Sequence, residues 1–159
     1  AQDPRRPSAP VGRRGLPSTD GRRRPPPHST ANPARCPMIK RVARADAELY
    51  PLPGRNWYTY IGPQNTPTER VSMGVSIFPA GSRPTGHVHD TQEETIYCAA
   101  GRGRIVTADA TAEIEAGVTV WVPPGTIHAT ESDGPEPLEL VCFFSPPVVP
   151  GSYEKKDKP

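Results

Sequence analysis

The chain has 159 residues, 34% of them hydrophobic and 23% charged, with a formal net charge of +2, enough for one hydrophobic core and not comfortably for two. The charge is uneven: residues 1–37 hold eight basic and two acidic residues, which leaves 11 basic and 15 acidic residues for 38–159. A mildly acidic folded part gives no footing for nucleic acid or an anionic membrane, and no run approaches the ~18 apolar residues that span a bilayer, so neither partner is expected.

Residues 1–37 contain nine of the 23 prolines and almost no large apolar side chains. Such a segment cannot bury enough surface to offset its ordering entropy. It reads as a disordered extension, or as residues upstream of a natural start at Met38, and it has no apolar stretch of the kind a secretory signal needs. The next segment, 43–49 (ARADAEL), is a short helix candidate that ends before Pro51.

From there the signals are short strands between turns: 56–62, 70–78, 86–89, 94–100, 102–107, 111–115, 118–122, 127–132 and 138–144. Gly and Pro punctuate the gaps at PAG, AAG, EAG and PPG. Alternation sorts faces: Val71, Met73, Val75 and Ile77 oppose Arg70, Ser72, Gly74 and Ser76, and the apolar set is expected on the core. Likewise Leu138, Leu140, Cys142 and Phe144 share one face. Recurrent strands without helical periodicity predict an all-β antiparallel barrel or sandwich over 38–150. The Pro-rich end is expected to be extended along a barrel edge or a partner subunit, with its charged tail, 151–159, solvated.

Cys36, Cys98 and Cys142 make no CxxC pair and no even framework, which fits a reducing, cytoplasmic compartment. Cys98 and Cys142 fall inside apolar strand patterns, where a thiol packs as a small hydrophobe.

The chain has four histidines. One, His28, lies in the Pro/Arg-rich segment. The others stand in two motifs: His87 and His89 in GHVHDTQEETIYCAAG, and His128 in GVTVWVPPGTIHATES. On a strand, His87 and His89 leave the same face. Glu94 lies five residues on, far enough for a turn and entry into the next strand. His128 follows the PPGT turn, and an antiparallel meander can bring it alongside. Three imidazoles and a carboxylate suit a divalent first-row metal, with room left for water or substrate. An isolated histidine is more often surface or satisfied core than ligand; the conjunction carries the argument. Of the adjacent acids, strand entry favours Glu94 over Glu93, which is then a solvated neighbour or an acid behind the ligands.

On these residues the sequence resembles the cupin superfamily. Gly81-(x5)-His87-x-His89-(x4)-Glu94-(x6)-Gly101 is similar to the first cupin motif at every fixed position. Gly117-(x5)-Pro123-x-Gly125-(x2)-His128 is similar to the second, whose final asparagine is Ser132 here. The resemblance implies a jelly-roll β-barrel (a double-stranded β-helix), often dimeric, with metal ligated by His87, His89, Glu94 and His128. It does not fix a reaction, because this fold hosts many chemistries. The expectation is a small metal-dependent enzyme of dioxygenase, isomerase or lyase type, acting on a small-molecule substrate with Fe, Mn, Ni or Zn. A non-catalytic metal- or ligand-binding domain is the alternative. Tyr60 and Glu93 are candidate proton donors or acceptors; Met73, Tyr97, Arg104, Trp121 and Phe143 are further pocket candidates.

Overall fold

The structure, a computed structural model, describes residues 39–151 and the backbone of a short strand at 154–155. The expectations for residues 1–37, His28 and Cys36 among them, and for most of the charged tail lie outside the described residues.

In chain order the strands are β1 (Glu48–Leu52), β2 (Arg55–Ile61), β3 (Ser72–Phe78), β4 (His87–Val88), β5 (Glu93–Ala100), β6 (Arg102–Val106), β7 (Thr111–Glu115), β8 (Thr119–Val122), β9 (Ala129–Ser132), β10 (Leu138–Ser145) and β11 (Glu154–Lys155). Every pairing between them is antiparallel. A six-stranded sheet runs β1-β2-β3-β10-β5-β8, a three-stranded sheet runs β7-β6-β9, and β11 pairs with β4. The all-β antiparallel fold read from the strand pattern is the one that forms. Gly81, Gly101, Gly117 and Gly125, expected in turns, all have positive φ, between 72° and 97°.

The core lies between the sheets. Ile105 and Ile114 reach it from the three-stranded sheet; Trp57, Ile96, Cys98, Leu140 and Phe144 reach it from the six-stranded one. In β10 the expected alternation holds, with Leu138, Leu140, Cys142 and Phe144 all buried. The free thiols of Cys98 and Cys142 pack as small apolar groups, and burial raises the pKa of both above the ordinary thiol value.

Two expectations are corrected. The segment 43–49 is not a helix: a single 3-10 turn spans Arg44–Asp46, and β1 begins at Glu48. So short a segment cannot meet the nucleation cost of a helix, whereas pairing with β2 satisfies its backbone and places Tyr50 and Leu52 against the core. In β3 the two faces are exchanged. Ser72, Gly74, Ser76 and Phe78 occupy the inward set, in register with inward residues of β10 such as Leu138, Leu140, Cys142 and Phe144. Of the set expected on the core, Val75 is buried but Met73 and Ile77 lie half-buried on the outer face, and Val71, just before the strand, is exposed. The inward set is small for a packing reason: a Cβ at Gly74 would collide with the Trp57 indole, which fills that part of the interior.

Candidate metal centre

The two histidine motifs meet through the backbone. The His87 N–H donates to the His128 carbonyl at 2.9 Å, and the His128 N–H returns a bond to the His87 carbonyl at 3.0 Å. Residues 41 apart in sequence are thereby fixed opposite one another before their side chains are considered. The Pro-Pro-Gly turn is held by the same strand, because the Gly125 N–H donates to the His89 carbonyl at 2.8 Å. Gly125 has φ +74°, a backbone conformation open to glycine and strained for a residue with a Cβ. Glu94 enters on β5, in register with Val122 of β8 and Phe144 of β10, and so faces inward between them.

His87, His89, Glu94 and His128 are all buried, and their donor atoms lie within 4.8 Å of one another. Metal–nitrogen and metal–oxygen bonds of about 2.0–2.2 Å place opposed ligands about 4.2 Å apart, so a small contraction closes the set on one ion. The His87 and His128 ring centroids are 4.4 Å apart, and those of His87 and His89 are 4.9 Å apart. Phe144 meets His89 edge-on at 4.9 Å and limits where that ring can turn.

Polar partners orient the ligands. His128 Nδ1 lies 2.9 Å from the Thr126 carbonyl, which can only accept, so Nδ1 carries a proton and Nε2 is turned to Glu94 Oε2 at 3.2 Å. His89 Nε2 is 3.7 Å from the same oxygen. Burial would drive the imidazoles neutral. It brings His87 down from 6.5 to about 2, with the charges of His128 and Arg55 acting in the same direction. His89 is lowered by burial against the opposing pull of Glu94. For His128 the hydrogen bond and charge of Glu94 outweigh burial and raise its pKa. Burial also acts to raise Glu94, but the hydrogen bond from His128 and the charges of the imidazoles win and hold the carboxylate at about 2. The centre therefore offers two neutral imidazoles, a carboxylate and one imidazole whose proton is shared toward that carboxylate. This donor set fits a divalent first-row transition metal.

The four residues stand in a small cavity of about 30 Å³ whose wall includes Leu52, Trp57, Phe78, Phe144 and Val148. Its other polar lining residues are Arg55, Ser76, Thr130 and Cys142, and the Arg55 guanidinium lies 5.6 Å from the Phe78 ring centroid. Arg55 and Trp57 were not found by sequence reasoning, although alternation along RNWYT after the Pro-Gly turn would have put them on one face. Phe144 was assigned to the core; its place beside the histidines depends on the pairing of β5 with β10.

Tyr60 and Glu93, the candidate proton-transfer groups, are not among the residues that line this pocket. Glu93 alternates to the exposed side of β5 and accepts a hydrogen bond from Trp121 Nε1 at 3.0 Å. Tyr60 lies where the β2–β3 register shifts, and its carbonyl accepts from Asn65 Nδ2 at 3.1 Å. Tyr97, Trp121 and Phe143 are exposed on the outer face, Met73 lies half-buried on that face, and Arg104 pairs with Glu131 at 2.8 Å.

Residues 74–144 match the protein family described as Cupin domain. The fold is that of a cupin. Over 78 residues, 49% of this chain, it is 37% identical to an uncharacterized protein, MJ1618, of Methanocaldococcus jannaschii, of which the match spans 62%. Among solved structures, the polyketide cyclase RemF of Streptomyces resistomycificus aligns at a TM-score of 0.61 with 19% identity, over 74% of this chain and 85% of that one. An uncharacterized conserved protein with a double-stranded β-helix domain from Klebsiella pneumoniae aligns at 0.60 with 18% identity, over 76% of this chain and 100% of that one. The oxalate decarboxylase OxdC of Bacillus subtilis, as its E162A mutant, aligns at 0.66 with 16% identity, over 75% of this chain and 33% of that one. These likenesses establish the cupin barrel. No helix among the described residues is long and apolar enough to cross a membrane.

Proposed function

We propose that this cupin binds one divalent transition metal at His87, His89, Glu94 and His128 and uses it to act on a small oxygen-bearing molecule. The observation that carries the reading is the convergence of three buried imidazoles and one buried carboxylate, with donor atoms within 4.8 Å, in a pocket with an apolar wall. Four protein ligands leave positions free on a five- or six-coordinate ion. A metal held there supplies Lewis acidity toward a substrate oxygen or, if redox-active, a site for O₂.

The chain's own groups suggest how a substrate is held. Trp57, Phe78 and Phe144 exclude water and receive a flat or apolar body. Arg55 offers a permanent cation in the same wall, suited to a carboxylate or enolate oxygen. Among the described residues, the pocket lining contains no carboxylate or imidazole beyond the four ligands. This favours reactions driven by substrate coordination over those that need a separate side-chain base. Dioxygenase, isomerase and lyase chemistry all meet that condition. The enzymatic names borne by the polyketide cyclase and the oxalate decarboxylase with this barrel are in keeping with catalysis.

The test is elemental analysis of anaerobically purified protein, followed by turnover of keto acids, sugars and catechols with and without O₂. One equivalent of Fe, Mn, Ni or Zn with turnover of one substrate class is expected. A metal-loaded protein that binds one of these compounds tightly and never converts it would leave a binding domain in place of an enzyme.

A further inference from the structure

The cavity at the metal centre, about 30 Å³, has room for about two or three water molecules. A keto acid, a sugar or a catechol is several times larger, so such a molecule reaches the ligands only if part of the wall moves. Most of the wall is fixed. Cys142 and Phe144 stand on β10, which is paired along its length with β3 on one side and β5 on the other. Leu52 and Arg55 close the β1–β2 hairpin, which is laddered to β3 from Asn56 to Thr59. Val148 and Pro150 line the same cavity but follow β10, in the run Pro146-Pro147-Val148-Val149-Pro150. Its three prolines have no N–H to give to a neighbouring strand. Val148 is buried, and its N–H donates to Ser72 Oγ at 3.0 Å. After Gly151, β11 pairs with Val88 and His87 of β4. The chain thus crosses from the strand that carries Phe144 to the strand that carries His87, with Val148 in the cavity wall between them.

We propose that residues 146–151 form a strap over the metal centre and that Val148 selects by size what reaches it. With the strap closed, ligands of about two or three heavy atoms fit beside the metal; larger ones enter when Val148 leaves the cavity. The proposal rests on the reading of this cavity as a metal and substrate site. A segment poor in ladder bonds opens at lower free energy than a strand paired on both sides, so the strap yields before β10 or β3 does. Lifting it uncovers one valine, and an apolar substrate body that takes the valine's place against Phe78 and Phe144 restores the lost burial. The strap also separates two kinds of ligand. Water or dioxygen passes while it is closed, whereas an organic substrate must hold it open.

The full chain loaded with Co(II), whose visible bands change when a ligand joins the metal, tests this with two probes. Azide, a linear triatomic anion, should bind at a rate proportional to its concentration. The rate for 4-nitrocatechol should instead level off at the rate of strap opening. Val148→Ala should speed 4-nitrocatechol about tenfold and Ser72→Ala about fivefold, with azide binding, circular dichroism and metal content unchanged. Equal acceleration of both probes overturns the proposal, as does 4-nitrocatechol binding that neither substitution alters. Amide exchange of the wild-type chain needs neither metal nor variant. The Val148 N–H should exchange at least about a hundredfold faster than that of Leu140 in β10, and faster still with 4-nitrocatechol bound to the Co(II) form. A Val148 amide as slow as that of Leu140 overturns the strap. A chain that takes up no Co(II) overturns the metal reading on which the selection rests, while the Val148 amide still reports whether the strap opens.

Discussion

Glu94 and Glu131 are both 5% exposed and both belong to strands that line the barrel, yet they are neutralised in different ways. Glu131 lies against two guanidinium groups of the same chain: Arg104 approaches its Oε2 at 2.8 Å, and Arg83 bonds the same oxygen while also reaching Asp133. Those cations are permanent, and the cluster is complete at any ordinary pH. Glu94 faces three imidazoles, of which burial holds His87 and His89 toward neutrality and only His128 is biased toward a proton. A buried carboxylate that depends on one exchangeable proton is poised to accept a cation from outside. A salt-bridged glutamate fastens strands; an imidazole-ringed one keeps a place.

The widest separation between these sites is expected from ligand removal. His87→Ala together with His128→Ala should take metal content from one equivalent per chain to near zero in elemental analysis, while Glu131→Gln should leave it at one. Metal retained in the double variant would sink the site assignment.

Next is Glu94→Gln. Loss of partners that merely orient ligands costs about 10–100-fold in metal affinity, and loss of a direct ligand should exceed that in chelator competition. Thermal unfolding should separate the two glutamates. Glu131→Gln should lower the midpoint with or without metal, and Glu94→Gln chiefly in the metal-loaded chain. Equal effects in both states would remove the distinction.

The pH dependence follows from where the proton sits. His128 has a raised pKa in the metal-free chain, so a metal must displace its proton. Apparent affinity should be flat above that pKa and fall about tenfold per pH unit below it. His87, held at about 2, adds no competing proton in this range. Proton release on metal addition in weak buffer should approach one per ion below the His128 pKa. Release of two would mean that a second imidazole is charged. Metal-free stability has its own sign. His87 binds a proton in the unfolded chain below its ordinary 6.5 but in the folded chain only near 2, so its contribution falls as pH drops through that interval.

The smallest effect is expected at the turn. Gly125→Ala places a Cβ at φ +74° and should destabilise by about 1–2 kcal/mol. It should also weaken metal binding modestly through the Gly125–His89 bond, and a variant with wild-type affinity would show that this bond does not position His89.

Much of the site was legible in the chain because its ligands are polar residues where apolar ones would otherwise pack, at spacings set by strand parity and by turn glycines. His87 and His89 share a face by parity, and Glu94 was preferred over Glu93 because strand entry separates adjacent residues to opposite sides. Less legible were the groups beside the ligands. Tyr60 and Glu93 are chemically suited to proton transfer, but suitability does not direct a side chain. The register of β5 with β8 turns Glu93 to Trp121, and the irregularity between Thr59 and Ile61 falls at Tyr60. Arg55 and Trp57 enter the pocket from β2, two sheet positions from β10, and no local pattern records that neighbour.

The sequence by itself determined the all-β class, the positive-φ turns and the four metal-ligand candidates, since each is written in residue type and short spacing. Tertiary structure decided which side of each strand faces inward. In β3, Met73 and Ile77 stand half-buried on the outer side, and Val75 is buried there, because the inner side must leave room for Trp57 and Phe144. Alternation marks two faces of a strand, but only packing against the opposing sheet says which one is the interior.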